Sequence, residues 1–326
     1  MLKSLRINAT IYLINKIINI GFAYVFLCFN VIILVGDIML IANEWKDYEI
    51  IDASNGEKLE RWGKTYLLRP DPEIIWDNRD LSHNDLIDAH YHRSNKGGGY
   101  WENIKNVPSS WQISYKDLKF NIKQMGFKHT GLFPEQAVNW DYMIDKIKRS
   151  KRDIKVLNLF AYTGGATVAC MYAGAHVTHV DSSKGMVDWA KENISLNNLD
   201  TTKVRYIVDD VLKFVQREAR RGNKYDAIIM DPPSYGRGSN GEVWNIEKDL
   251  YPLINACMDI LSDNPLFFII NSYTTGMSSK ILENMLNNLL LKKYKGIVTS
   301  GELGLPIKST NYVLPCGIYG RYESNE

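Results

Sequence analysis

Cysteine is scarce: Cys28, Cys170, Cys257 and Cys316 are the only four in 326 residues, and none has CxxC or Cys/His spacing. That excludes a disulfide framework and a thiolate metal centre, and fits reduced thiols of an intracellular protein. An excess of one charge is also missing. Lys+Arg 39 against Asp+Glu 37 leaves +2, so overall basicity does not announce a nucleic-acid partner and any such attraction must come from local clusters. What is present is ordinary for a globular chain: 45% hydrophobic and 23% charged residues, at a length that holds one domain of usual size and a smaller one.

Residues 156–167, Val-Leu-Asn-Leu-Phe-Ala-Tyr-Thr-Gly-Gly-Ala-Thr, read as a buried strand, a glycine turn and the first turn of a helix. The apolar run 156–160 suits a parallel strand covered on both faces. Gly164 and Gly165 let the backbone bend sharply and approach a ligand. The helix beginning near Ala166 points its free N–H groups and positive dipole end back at the turn. A second strand, 176–180, ends in Asp181, a carboxylate placed to take both hydroxyls of a ribose. Dinucleotides and S-adenosylmethionine both suit such a unit. The turn lacks G-x-G-x-x-G spacing, which leaves little room for a pyrophosphate.

A second motif separates the two. The apolar strand 228–230 ends in Asp231-Pro232-Pro233-Ser234-Tyr235. The two prolines remove backbone donors and hold the nearby carbonyls free to accept hydrogen bonds. Tyr235 offers a flat face on which a flipped base can stack, and Asp231 can hold an amino group or take a proton. The combination of LNLFAYTGG, Asp181, DDVLKF and DPPSY resembles the bacterial large-subunit ribosomal RNA methyltransferases that modify cytosine C5 or guanine N7. The resemblance covers residues 115–275 and, in a short match, 52–70. It implies a class I, Rossmann-like α/β fold with a seven-stranded, mostly parallel sheet, and S-adenosylmethionine as cofactor. It implies cofactor contacts from Phe160, Ala161, Tyr162, Thr163, Gly164, Asp181 and Asp210, the last toward the adenine amino group. Residues 127–136 resemble the family's lysine-threonine-glycine and aspartate-glutamine element, which closes over the cofactor and adds Thr130, Phe133 and Gln136. Here His129 intervenes between lysine and threonine, and Glu135 replaces the aspartate.

Ahead of that core, residues 39–110 read as a small β-rich region and 111–326 as the methyltransferase domain. Strands are expected at 48–52 and 64–69, with Asn55-Gly56 as a tight turn between them. The basic, aromatic stretch from His90 to Trp101 reads as a solvated linker or a backbone-following RNA contact. His90-x-His92 has no third ligand of suitable spacing in the sequence, so no metal is expected. Residues 111–115 and 118–122 alternate with period two, a hairpin. Helices are expected at 134–148, 184–197, 211–221, 247–261 and 278–291. Strands are expected at 204–208, 225–230, 266–270, near Ile297 and at 312–321. Residues 234–243, with three glycines and no apolar periodicity, read as a mobile loop at the site mouth. The basic clusters at 146–152 and 213–224 read as solvated charge or as RNA contacts.

The function these features imply is an S-adenosylmethionine-dependent methyltransferase acting on a base nitrogen of RNA, ribosomal RNA by resemblance, with Asp231, Pro232, Pro233 and Tyr235 as its catalytic group. Alternatives are a small-molecule methyltransferase or a non-catalytic cofactor-binding RNA module; the glycine turn disfavours a nicotinamide oxidoreductase. Cytosine C5 methylation needs a cysteine thiolate, which the family carries just after the strand following Asp-Pro-Pro. That place here reads Ile270-Asn271-Ser272-Tyr273-Thr274-Thr275. Residues 1–38 stand apart: 17–35 is a run of 19 residues without charge, bilayer length. Lys3, Arg6 and Lys16 before it and acidic residues after it would place the body outside the cytoplasm, away from cofactor and RNA. The expectation is therefore a cytoplasmic protein starting at Met39, without stable membrane association.

Overall fold

Short alternating runs early in the chain form strands because each buries one pleated face. The computed structural model describes residues 38–77, 81–94, 98–238 and 241–325. It shows β1 (Ile38–Ile41), β2 (Tyr48–Ser54), β3 (Glu57–Trp62), β4 (Thr65–Pro70), β5 (Ala89–Arg93) and β6 (Gly99–Asn103). Strands β2 to β6 form a five-stranded sheet in chain order. Asn55 and Gly56, at φ 52° and 80°, turn β2 into β3. The expected turn is there, but β3 was hidden in the sequence because its inward face is charged. Glu60 is fully buried, and Arg69 of β4 grips it from Nε at 2.5 Å and Nη2 at 2.8 Å. Tyr48 donates to the same carboxylate at 2.7 Å. The expected linker around 90–101 is also sheet: β5 and β6 pair antiparallel, with Tyr91 opposite Trp101.

Strands β7 (Trp111–Tyr115) and β8 (Leu118–Ile122) form the expected hairpin. A single 3-10 turn, Pro134–Gln136, leads into α1 (Ala137–Ser150). Strand and helix then alternate: β9 (Lys155–Leu159), α2 (Gly165–Tyr172), β10 (His176–Asp181), α3 (Lys184–Leu196), β11 (Val204–Val208), α4 (Val211–Arg221) and β12 (Ala227–Met230). The expected loop at 234–243 begins and ends in a small hairpin, β13 (Tyr235–Arg237) against β14 (Val243–Asn245). The chain closes with α5 (Ile246–Cys257), β15 (Phe267–Ser272), α6 (Ser279–Leu289), β16 (Gly296–Pro306) and β17 (Val313–Ser324).

The large sheet has the order β1-β16-β17-β15-β12-β9-β10-β11, eight strands where seven were expected, because Ile38–Ile41 adds an edge. Strands β15, β12, β9, β10 and β11 run parallel, and β17 is antiparallel to both its neighbours. Successive residues enter opposite cores: Val156, Ile229 and Ile269 pack on one face, and Leu157, Ile228 and Ile270 on the other. That is why these strands read as continuous apolar runs. Chain order reverses between β9 and β12, and ligands of open α/β sheets bind at the strand carboxyl ends beside such a reversal.

From Leu40 onward the described chain forms one compact unit. In it, Tyr48 and Trp62 of the β-rich part share one core with Ile113 and Trp140 of the part that follows. The apolar run 17–35 lies outside the described residues; among those described, no helix is long and apolar enough to cross a membrane.

Against the cost of burial, Arg69 and Lys58 hold the Glu60 carboxyl at about 2. Removing one member of a buried ion pair strands the other. Glu60→Ala is therefore expected to cost about 3–5 kcal/mol of stability, read from the urea midpoint.

Candidate active site

Strand β9 does not run straight into its helix. Phe160 and Tyr162 adopt left-handed φ values of 53° and 50°, and Gly164 one of 86°. Left-handed conformations at non-glycine residues persist only where surroundings impose them. Here Ala161 N–H donates to Val180 O at 3.0 Å, Tyr162 N–H to Asp181 Oδ2 at 2.9 Å and Gly164 N–H to Ala161 O at 3.0 Å. Asn193 Nδ2 holds Thr163 O at 2.9 Å, and the Thr163 hydroxyl donates to Gly131 O. A Cβ on Gly164 would lie 3.0 Å from that of Ala190, so glycine answers both the backbone angle and the close helix.

Asp181 accepts from Tyr162 N–H through one oxygen and from Ser183 N–H, at 2.8 Å, through the other. Burial raises its pKa, and the two N–H donors only partly offset this. Each carboxylate oxygen keeps a lone pair, enough for two ribose hydroxyls. Asp210 caps α4, its Oδ1 accepting from Lys213 N–H at 2.9 Å, which leaves Oδ2 for another donor. Thr130 is fully buried, and its hydroxyl has no partner among the described residues.

Strand β12 delivers Asp231 beside the turn, with Asp231 N–H 3.4 Å from Leu159 O. Its Oδ1 is buried without a partner among the described residues. Burial and the neighbouring Glu135 carboxyl push Asp231 up to about 7. A cavity of ≈ 50 Å³ lies here, lined by Phe133, Asn158, Ala161, Tyr162 and Asp231 among others. Gln136 is more committed than the sequence implied: its Nε2 donates to the Tyr273 hydroxyl at 2.7 Å and its Oε1 accepts from Asn139 at 2.9 Å. Phe133 stacks on Tyr273, centroids 5.3 Å apart at 30°, and lies 5.6 Å from the Tyr162 ring. The Pro233 carbonyl, expected to be free, accepts from Trp244 Nε1 at 2.7 Å, because the β13–β14 hairpin folds the indole back onto it. Tyr235 stands on that hairpin, 54% exposed.

Glu135 and Tyr273 join the site through the fold. Their one legible signal is position, since Tyr273 directly follows a parallel strand at its carboxyl end. Cys316 is only partly buried and lines a cavity with Glu135 and Tyr273. His90 and His92 do have a carboxylate neighbour, since Glu102 on β6 lies within 4.8 Å of both. However, His90–Glu57 at 2.5 Å and His92–Glu102 at 2.7 Å are hydrogen-bond lengths. Ligands on a tetrahedral zinc stand about 3.3 Å apart, from bond lengths near 2.0 Å. The basic clusters are largely spoken for: Lys213 pairs with Glu242, Arg217 with Asp209, Arg221 with Glu218 and Arg152 with Asp226. A larger cavity of ≈ 360 Å³ sits at the opposite, amino ends of β9, β10 and β11, among Lys155, His176 and Lys203. It has neither the glycine turn nor the strand-end acids.

Residues 74–276 match the family described as S-adenosylmethionine-dependent methyltransferase. The chain belongs to that family. A crystal structure of an S-adenosylmethionine-dependent methyltransferase from Agrobacterium tumefaciens superposes with a TM-score of 0.84 and 34% identity, covering 88% of this chain and 93% of that one. The ribosomal RNA large subunit methyltransferase K/L of Shewanella frigidimarina is 32% identical over 56% of this chain and 25% of its own length. The ribosomal RNA large subunit methyltransferase I of Klebsiella pneumoniae is 35% identical over 39% of this chain and 31% of its own. The chain thus spans a quarter to a third of these two curated relatives.

The methyltransferase's own residues suit the donor: the strained turn lines the small strand-end cavity, and Asp181 and Asp210, at the ends of the next two strands, each keep acceptor capacity. Asp181→Ala is expected to weaken S-adenosylhomocysteine binding by about 1.5–3 kcal/mol in calorimetry, the worth of a charge-assisted acceptor.

Proposed function

We propose that this methyltransferase acts in the cytoplasm on a base nitrogen of RNA, guanine in preference to adenine, with ribosomal RNA as substrate. The observation that carries the reading is the buried Asp231 Oδ1 at the turn, which has no partner among the described residues. Bound S-adenosylmethionine supplies a methyl group on a positively charged sulfur. Everything else is positioning, which is how proteins assist in-line transfers. Asp181 and Asp210 hold the nucleoside end, while Phe133 and Tyr273 wall the crevice from water. Asp231 accepts a hydrogen bond from the base and orients its edge, and Tyr235 supplies a face for stacking.

Cytosine C5 is a poor nucleophile whose methylation needs a prior thiolate attack. Cys170 and Cys257 are fully buried in the cores. Burial and Glu135 push the Cys316 thiol well above the usual range, and its Sγ lies 3.4 Å from Leu314 O. A base nitrogen brings its own lone pair and needs none of them. The names of the Shewanella and Klebsiella relatives support RNA as acceptor.

Methylation of ribosomal RNA in vitro, followed by nucleoside mass spectrometry, is expected to give an N-methylated guanosine, with Cys316→Ser and Cys257→Ser still active; 5-methylcytidine as product would refute the reading. Turnover is expected to rise with pH through about 7 as Asp231 ionises and becomes an acceptor. Asp231→Asn should remove that rise and lower kcat by about 10²-fold or more.

A further inference from the structure

A second cavity adjoins the one beside Asp231. Its volume is ≈ 310 Å³, and Leu132 and Phe133 line both it and the small cavity beside Asp231. Ligand pockets for single small molecules begin at about 300 Å³. The β-rich part contributes Lys58, Arg69 and Asp71; the segment after β8 contributes Lys128, His129 and Glu135; Tyr273 follows β15. Phe133, with Leu132, therefore forms the wall the two cavities share, and the Tyr273 ring on the side of this cavity stacks on Phe133.

Its charges are unequal in their commitments. Lys58 pairs with Asp71 at 3.0 Å, and Arg69 with Glu60 at 2.5 Å. Lys128 has no ion pair among the described residues; its Nζ reaches only Pro70 O, at 3.4 Å. Burial, with Lys58, Arg69 and Arg93 adding to it against Asp71, lowers the Lys128 pKa to about 8. An ammonium in that position lacks a paired anion, and binding one would stabilise its charge.

We propose that this cavity seats the ribose-phosphate of the nucleotide whose base is methylated, with Lys128 as its phosphate contact. This rests on RNA being the acceptor. The phosphate side enters from the β-rich part, and the base passes the Phe133–Tyr273 wall toward Asp231. The β-rich part thereby becomes half of the acceptor pocket.

The test is steady-state methylation of ribosomal RNA by the full chain carrying Lys128→Met, across a series of salt concentrations. A lost phosphate contact raises KM for RNA about tenfold or more. It also flattens the slope of log KM against log salt by about 0.7–1. KM for S-adenosylmethionine stays unchanged, and Lys128→Arg restores the salt slope. A merely structural role would leave the slope alone. Thr275→Trp, at the exposed rim of the cavity, provides a second variant that does not touch the ion pairs and is expected to raise KM for RNA similarly. If wild type methylates RNA and both variants keep its KM and slope, the pocket is wrong and the RNA reading stands. If wild type methylates no RNA, both fall.

Discussion

One carboxylate organises the site. Asp181 ends β10 and accepts the Tyr162 and Ser183 N–H groups, so it fixes the turn after β9 in the same act that orients itself. The turn, with its left-handed Phe160 and Tyr162, is held by the Asp181 side chain as well as by Val180 O and Asn193. In the proposed reading one rigid arrangement, rather than separate loops, recognises the donor. That rigidity suits a reaction in which alignment is the protein's main contribution.

The acceptor side is built differently. Asp231, Glu135 and Tyr273 come from the end of β12, the turn before α1 and the end of β15, and Asp231 and Tyr273 come together because β12 lies beside β15 in the sheet. Crowding these groups where water is scarce raises the carboxyls toward neutrality. A buried carboxyl without a partner is costly to maintain, and active sites are where such cost is found. The β-rich part shares the core through Trp62 and Ile113 and brings Lys58 and Arg69 to the same opening.

Much of this was legible in the sequence where local chemistry and position agree. Strand Val204–Val208 and helix Val211–Arg221 stand as read, since Asp210 caps the helix and Gly222, at φ 70°, ends it. The cofactor turn and both strand-end acids follow from parallel-sheet rules. Three things were not legible. Strand β3 hides behind inward-facing Lys58 and Glu60, whose partners come from another strand and the turn after it. Glu102 meets His90 only through the β5–β6 register. The Pro233 carbonyl looks free until the hairpin returns Trp244 to it. Each depends on pairing between distant segments, which local periodicity does not encode.

In this proposal donor and acceptor meet at the carboxyl ends of β9, β10 and β12. A crystal structure of the chain with S-adenosylhomocysteine tests it directly. The expected result is the ribose hydroxyls on Asp181 and the sulfur facing the cavity lined by Asp231 and Phe133. Density for the ligand at the opposite end of the sheet, in the cavity lined by Lys155, His176 and Lys203, would contradict it.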